Sequence, residues 1–450
     1  MTKDLTTGSP IKLILGFAFP TLLGLLFQQL YSMVDTIIVG KLLGTQALAA
    51  VGTTASLFFM VLGFVIGVCN GFAIPVAQRM GAGQVGLMRR YVVNAGYLAA
   101  LFAVVLTAFV TFFCRDILVA MNTPSDIFEP AYHYSLVVFF GIPAAFFYNL
   151  LSGVIRSLGD SKTPVYFLAL SSILNIILDY VLIQFTPIGV VGAAVATVVS
   201  QGVSGVACLF YIKKKCTILH PDASEIHFDP EICKVLLFIG LPMGLQYSIT
   251  AVGNIILATA VNGLGSMAVG AIAAGQKLSL LFWAPLEALG QTMATFCGQN
   301  VGGMKIDRVR KGMATATFLG CAYSVLALFI ILPFGEQMLT IFVSKEEENL
   351  TLFFEMANQF LVTSNLAMVL LALINVLRFG IQGMGFTKFA MLAGGMEMIA
   401  RILLATYGVS AYGFGAACFG GPVAWFAADL FLVPATFICI RRLEKDYMTT

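Results

Sequence analysis

The feature that most constrains this chain is a succession of long apolar runs separated by short polar breaks. The 22 residues from Leu13 to Val34 contain no charged side chain, and similar runs recur along the sequence. A helix needs about 20 predominantly apolar residues to cross the hydrocarbon core of a bilayer. Only 10% of the 450 residues are charged, whereas soluble domains carry roughly a quarter charged residues. The chain is therefore predicted to be a membrane protein.

Glycines, prolines and charge clusters divide the sequence into twelve predicted transmembrane helices. We expect an all-α membrane protein with an N-terminal six-helix lobe at 1–212, a cytoplasmic linker at 213–232 and a C-terminal six-helix lobe at 233–450. The predicted spans lie near residues 12–40, 48–78, 91–113, 132–156, 164–184, 190–212, 233–262, 268–298, 311–334, 353–380, 388–408 and 415–440.

The basic residues indicate the orientation of these helices. When the loops alternate from an N-terminus on the inner side, 20 of the 25 Lys and Arg residues fall inside, and Lys277 and Arg401 fall within spans. Cytoplasmic loops carry an excess of Lys and Arg. Both termini are therefore predicted to be cytoplasmic, in a multi-pass protein of the cell (inner) membrane. The acidic stretch SKEEEN, 344–349, is predicted to form an outer loop.

The two halves of the sequence resemble each other. Gln78 matches Gln299 at an offset of 221 residues, and Asn149 matches Asn375 at an offset of 226. Because each repeat has six helices, an even number, the lobes are predicted to be parallel repeats related by a pseudo-two-fold axis along the membrane normal. Such symmetry is typical of transporters, in which two similar bundles rock about a central cavity.

Charged side chains within spans are candidate functional residues, because a charge at the bilayer centre costs about 2.5–3.5 kcal/mol on insertion scales. Glu397 and Arg401 are four residues apart and are predicted to pair along one helix. Lys277 and Glu287 could each line the cavity or extend toward the membrane surface, and the sequence supports both interpretations. Asp429 could bond a neighbouring helix or face the cavity.

Four oxygen-bearing residues of the first half share a depth in the membrane. Asp35 lies about 9 Å of helix rise from the outer end of its span, and Thr197 lies about 12 Å from the start of its own. Asp179 is near the outer end of the fifth span, with Asn175 one turn deeper on the same face. These oxygens suit a hard cation such as Na+ or a shared proton, although interhelical hydrogen bonding is an equally open interpretation. The repeat offsets place apolar residues opposite both carboxylates, so symmetry does not require them.

Several stretches of the sequence, spread over essentially the whole chain, resemble one known family. They are FPTLLGLLFQQLYSMVDTIIVGKLLGTQALAAVG, GVIRSLGDSKTP, LNIILDYVLI, GVVGAAVATVVSQ and, in the second half, GQNVGG. They are similar to the multidrug and toxic compound extrusion (MATE) family. The resemblance implies twelve helices in two lobes and a secondary active multidrug efflux transporter, not an enzyme. Such a transporter exports organic cations or amphipathic compounds in exchange for Na+ or H+ by alternating access.

Within that family the chain looks most like the DinF-like branch, whose cation site lies in the first lobe. The resemblance implies that Asp35, Asn175, Asp179 and Thr197 bind the coupling ion, and that these four residues are the metal ligands if the ion is Na+. Both Na+ and H+ are open at this point.

The resemblance also implies roles for other residues of the chain. Pro20 is expected to be a hinge in the first helix, and Gln28, Tyr134 and Asn149 are expected to border the substrate cavity. The NorM-like branch has a carboxylate on the seventh helix, where this chain has Thr250. This departure argues against a cation site in the second lobe.

We expect small drug-like substrates and the lipid bilayer as partners, a monomer, no nucleic acid, no nucleotide and no cofactor besides the coupling ion. A lipid-linked oligosaccharide flippase is one alternative, but such proteins often have a cavity rich in Arg and Lys, whereas the buried charges of the first lobe here are acidic. An intramembrane enzyme is another, but the sequence has no D-D-x-x-D motif. The stretch GAIAAGQK at 270 lacks the G-K-[ST] ending of a nucleotide-binding loop.

Overall fold

The computed structural model describes residues 3–121, 123–340 and 350–448, and within these ranges it contains α-helices and no β-strand. The acidic stretch 344–349 lies outside the described residues. The α-helices of the described residues are α1 (Pro10–Leu43), α2 (Thr45–Gly81), α3 (Val85–Phe112), α4 (Cys114–Ala120), α5 (Phe128–Phe140), α6 (Ile142–Ser157), α7 (Lys162–Phe185), α8 (Val191–Lys215), α9 (Pro230–Asn262), α10 (Ser266–Gly302), α11 (Ile306–Leu339), α12 (Leu350–Leu366), α13 (Met368–Gly383), α14 (Thr387–Leu403), α15 (Val409–Ala417) and α16 (Gly420–Met448).

The described residues form ten spans that are long and apolar enough to cross a membrane, or twelve when each of two bent helix pairs counts as one span. The pair α5–α6 bends by 43° and the pair α12–α13 by 48°. The helices α14 and α15 form one span through a π-helical turn at Leu404–Gly408. The predicted all-α membrane fold is confirmed. Several helices extend beyond the predicted apolar runs, because backbone hydrogen bonding continues past the hydrocarbon core.

The bend between α5 and α6 follows from local sequence. Gly141 lies at the break, and Pro143, which has no backbone N–H to donate, follows in the first turn of α6. A Cβ added to Gly141 would lie 2.2 Å from Cγ2 of Val198 on α8. Only glycine therefore allows α8 to approach α5 and α6 this closely.

The chain divides into two compact units. Unit 1 consists of Leu23–Gly244 with the N-terminal residues up to Leu5, and unit 2 consists of Thr6–Leu22 with the residues from Leu245 onward. The change from unit 2 to unit 1 thus falls within α1, three residues after Pro20. In unit 1, α2 packs on α6 and α7 packs on α8; in unit 2, α10 packs on α13 and α14 packs on α16.

The polar segment 216–229, between α8 and α9, is hydrogen-bonded to α3 of unit 1. Asn94, which is fully buried, donates from Nδ2 to the carbonyl oxygen of His227 at 3.2 Å and accepts from the backbone amide of Asp229 at 2.8 Å. Arg90 pairs with the carboxylate of Asp229, and Nε of Arg89 donates to the carbonyl oxygen of Ile218 at 2.8 Å. The segment is therefore an ordered strap across the end of α3.

Candidate functional site

The helices α7 and α8 form an antiparallel pair that sets the register of the candidate site. The turn between them contains Gly189, whose φ of 56° lies in the left-handed region that favours glycine. A Cβ added to Gly192 would lie 3.2 Å from Cβ of Leu182, so the end of α7 is in close contact with the start of α8. This close pairing brings the buried face of α7 next to Thr197 of α8.

The helix α7 has one polar buried face and one apolar exposed face. Asn175 and Asp179 are four residues apart on the buried face, with exposed fractions of 2% and 0%. Ile173 and Ile177 on the other side are exposed, as expected for side chains that contact lipid. The periodicity of α7 therefore directs one amide and one carboxyl group into unit 1.

The structure brings all four predicted cation-site residues together. The carboxyl groups of Asp35 and Asp179 lie within hydrogen-bonding reach of one another. The Asn175 amide fits in two orientations: Nδ2 donates either to Oγ1 of Thr197 at 3.3 Å or to Oδ2 of Asp179 at 3.2 Å. We call Asp35, Asn175, Asp179 and Thr197 the carboxylate cluster. It joins side chains of α1, α7 and α8.

The carboxylate cluster offers oxygen atoms that other protein groups do not use. Oδ1 of Asp35 and Oδ1 of Asp179 are buried and have no hydrogen-bond partner among the described residues. Two carboxylates in contact repel each other when both are ionised. Hard cations take oxygen ligands from carboxylates, amides and water. The donor set therefore fits a proton shared by the two carboxyl groups or a cation such as Na+ bound between them.

A cavity of about 200 Å³ adjoins the carboxylate cluster within unit 1. Asn175 and Thr197 belong to both, and the predicted cavity residues Gln28 and Asn149 line it as well. The remaining lining residues are Tyr31, Leu62, Ile66, Ala145, Tyr148, Leu168, Ser171, Ser172, Ser200 and Gln201. The lining combines polar groups with apolar surface, which is the usual composition of a small-molecule site.

The third predicted neighbour, Tyr134, does not line this cavity. It is buried in an apolar cluster with Val39 and Ile183, and its ring lies 5.6 Å from that of Phe58. It still interacts electrostatically with both carboxyl groups of the cluster. Tyr134 therefore borders the carboxylate cluster from its apolar side.

Sequence reasoning missed several polar residues of the site that a simple spacing would have revealed. Tyr31 precedes Asp35 by four residues, and Ser171 precedes Asn175 by the same interval. Residues four apart share one helix face. A search one turn from each predicted residue would thus have found two further cavity residues.

Pro20 lies inside α1, which continues without a break from Pro10 to Leu43. The ring of Pro20 is buried. Because proline removes one backbone hydrogen bond from a helix interior, α1 has a weak point there even though it is a single helix in this structure.

In unit 2 the predicted pair of Glu397 and Arg401 is confirmed, with Nη2 of Arg401 at 3.3 Å from Oε2 of Glu397. Glu397 has a second partner, Arg378, which the sequence analysis did not single out. Arg378 belongs to α13 and its side chain is largely buried. Glu287 accepts a hydrogen bond from Nε2 of Gln291 at 3.1 Å.

Comparisons with known proteins agree with this architecture. The MatE family model matches residues 20–181 and 242–407. The chain is 29% identical over 338 residues to the probable multidrug resistance protein YoeA of Bacillus subtilis, covering 74% of this chain and 73% of that protein. It is 24% identical over 346 residues to the FAD transporter of Shewanella oneidensis, covering 76% of each.

A solved structure of a multidrug resistance MATE family transporter of the MOP superfamily, in an outward-facing conformation, has a similar fold. The TM-score is 0.89, the sequence identity is 22%, and the match covers 99% of each chain. At this identity the likeness concerns the fold alone. Because the family model matches most of the sequence, this chain belongs to the MatE family of multidrug and toxic compound extrusion transporters and is a transporter and not an enzyme.

Proposed function

We propose that this chain exports organic cations or amphipathic compounds in exchange for Na+ or H+, and that the carboxylate cluster binds the coupling ion. One observation carries the proposal: Asn175 and Thr197 belong both to the cluster and to the lining of the cavity. An ion held by the cluster and a substrate in the cavity therefore use some of the same side chains. Because these side chains are shared, binding of the ion disfavours binding of the substrate, and the reverse.

The proposed exchange proceeds through α1. A cation or proton on Asp35 and Asp179 removes the repulsion between the two carboxylates and draws α1 toward α7. The helix then bends near Pro20, where a backbone hydrogen bond is missing, and the cavity shrinks. The bound cation and the substrate favour opposite positions of α1, so each shifts the equilibrium between the two positions away from the other. Substrate leaves as the cation enters.

The proposal includes a monomer in the cell membrane with both termini in the cytoplasm and a division into lobes at 1–212 and 233–450, joined by the segment 213–232. The excess of Lys and Arg on one side of the predicted topology supports the cytoplasmic position of both termini. Labelling of single cysteines with a membrane-impermeant reagent, placed at Lys3 and at Lys445 in intact cells, tests the orientation. Labelling at either position without permeabilisation would contradict it.

Efflux of one fluorescent organic cation from proteoliposomes tests the exchange, with the Na+ gradient and the pH gradient imposed separately. We expect one of the two gradients to drive efflux by the wild-type chain and the Asp35→Asn variant to lose this drive. Asp126→Asn is the matched control, because Asp126 is an exposed carboxylate in the connection before α5. Drive by neither gradient, or wild-type efflux by Asp35→Asn, would overturn the proposal.

A further inference from the structure

A second cluster of charged side chains lies within unit 2, whereas the carboxylate cluster belongs to unit 1. Glu397 on α14 accepts from two arginines, Arg378 on α13 and Arg401 on its own helix. One carboxylate thus serves two guanidinium groups, and the three residues together carry one excess positive charge. Nε of Arg378 and Nη1 of Arg401 are buried and have no hydrogen-bond partner among the described residues.

Asp429 on α16 is another buried charged residue of unit 2. Its side chain is 5% exposed, and neither carboxyl oxygen has a hydrogen-bond partner among the described residues. The helix α16 packs against α11, α12, α13 and α14. The groups that interact electrostatically with Asp429 are Arg378, Glu397 and the thiol of Cys321 on α11.

An ionised carboxylate in this position requires a compensating partner, because a buried unpaired charge is very unfavourable. Two sources of compensation are present: the unpartnered Nε of Arg378, or a proton. With Asp429 ionised, the four residues Arg378, Glu397, Arg401 and Asp429 are neutral as a group. With Asp429 protonated, the group carries one positive charge and Arg378 forms an ion pair with Glu397 alone.

We propose that Asp429 is a proton-binding residue of unit 2 whose proton decides whether Arg378 pairs with Glu397 on α14 alone or is shared with Asp429 on α16. The proton forms an O–H bond with one carboxyl oxygen and returns to solvent as that bond breaks. A metal cation is disfavoured here, because the Arg378 guanidinium, which interacts electrostatically with Asp429, repels it. The proposal does not rest on the exchange mechanism proposed for unit 1.

The chain contains a built-in reporter for this residue. Trp425 precedes Asp429 by four residues on α16, and its ring meets that of Trp283 edge to face at 5.3 Å between centroids. These are the two tryptophans of the sequence. A change of charge on Asp429 takes place one helical turn from Trp425, so intrinsic fluorescence of the purified full-length chain reports it without any transport.

The test is a pH titration of tryptophan fluorescence from about pH 5 to about pH 9, the range in which a perturbed carboxyl group can titrate. We expect a single sigmoidal change in the wild-type chain and in Asp35→Asn, and loss of that change in Asp429→Asn. Absence of the change in the wild-type chain, or its persistence in Asp429→Asn, overturns the proposal.

A second variant keeps the test decisive if Asp429→Asn fails to fold. In Glu397→Gln, both arginines lose their anionic partner and become available to an ionised Asp429. The fluorescence midpoint should therefore move toward lower pH. A midpoint that is unchanged or moves toward higher pH overturns the proposal. Transport failure of Asp35→Asn with an intact fluorescence titration would separate this proton site from the exchange site of unit 1.

Discussion

The ordered strap between α8 and α9 leads to a prediction about Asn94. Its side chain is fully buried and makes two contacts with the strap, to the carbonyl oxygen of His227 at 3.2 Å and from the amide of Asp229 at 2.8 Å. Asn94→Ala removes both at once. The two backbone groups are then left without these partners while the strap remains folded.

The size of the effect follows from those two groups. An unsatisfied buried donor or acceptor costs about 1–3 kcal/mol. Because the strap borders water, which can replace part of the loss, we expect about 2–4 kcal/mol for the pair. At about 1.4 kcal/mol per factor of ten, local opening of the strap should become about 30- to 700-fold more frequent.

Hydrogen–deuterium exchange of the strap, residues 216–229, measures this opening directly. Asn375→Ala is the matched control, since Asn375 makes the same bond to the carbonyl oxygen four residues earlier as Asn94 does, at 2.9 Å in both cases. Hydrogen–deuterium exchange of the strap in Asn375→Ala should equal that in the wild-type chain. If Asn94→Ala leaves strap exchange at the wild-type rate, the two hydrogen bonds do not hold the strap and the reasoning is refuted.

Three further predictions concern the site, the packing and the response to acid. Under the gradient that drives efflux, Thr197→Val should slow efflux about 10- to 150-fold, because a hydrogen bond to a charged group is worth about 1.5–3 kcal/mol, whereas Thr197→Ser keeps the oxygen and the rate. Equal rates for both variants would contradict a ligand role. Gly71→Ala should lower the free energy of unfolding by about 1–3 kcal/mol, since its Cβ would lie 2.5 Å from a Cα of α9, while Gly96→Ala, which meets no atom within 4 Å, should not lower it in the same thermal unfolding assay. The backbone amide of Ile232 donates to Asp229 and, with other donors, holds the pKa of that carboxyl below its usual range. The ionised Asp229 therefore stabilises the strap above the ordinary Asp pKa of about 3.9, and this stabilisation disappears as the pH falls through the lower pKa of the folded chain. Asp229→Asn should destabilise the strap at neutral pH and match the wild-type chain in strong acid.

The twelve spans could be predicted because the signal is local. Each run of about 20 apolar residues reports its own burial in lipid, whatever the neighbouring helices do. The two bends were not predicted, although Gly141 and Pro143 stand in the sequence. A glycine before a proline does not by itself reveal that Val198 of another helix occupies the space next to it.

The candidate site was predictable in part for the same reason. A charge in a membrane is costly, so Asp35 and Asp179 attract attention wherever their helices lie. The position of Tyr134 differs from the expected cavity wall, because the rotation of α5 about its axis places the ring in an apolar cluster. The hinge role of Pro20 stays a prediction.

By itself, the sequence determined the membrane class, the number of spans and the carboxylates that need a partner, since hydrophobicity and the cost of charge act residue by residue. Only the tertiary structure decided the contacts themselves: Asp35 with Asp179 across α1 and α7, which the family resemblance implied, and Arg378 with Glu397 across α13 and α14, which the sequence analysis missed. Such pairings depend on how each helix is rotated and how closely its neighbour approaches. Those two quantities are set by packing contacts between residues far apart in the chain.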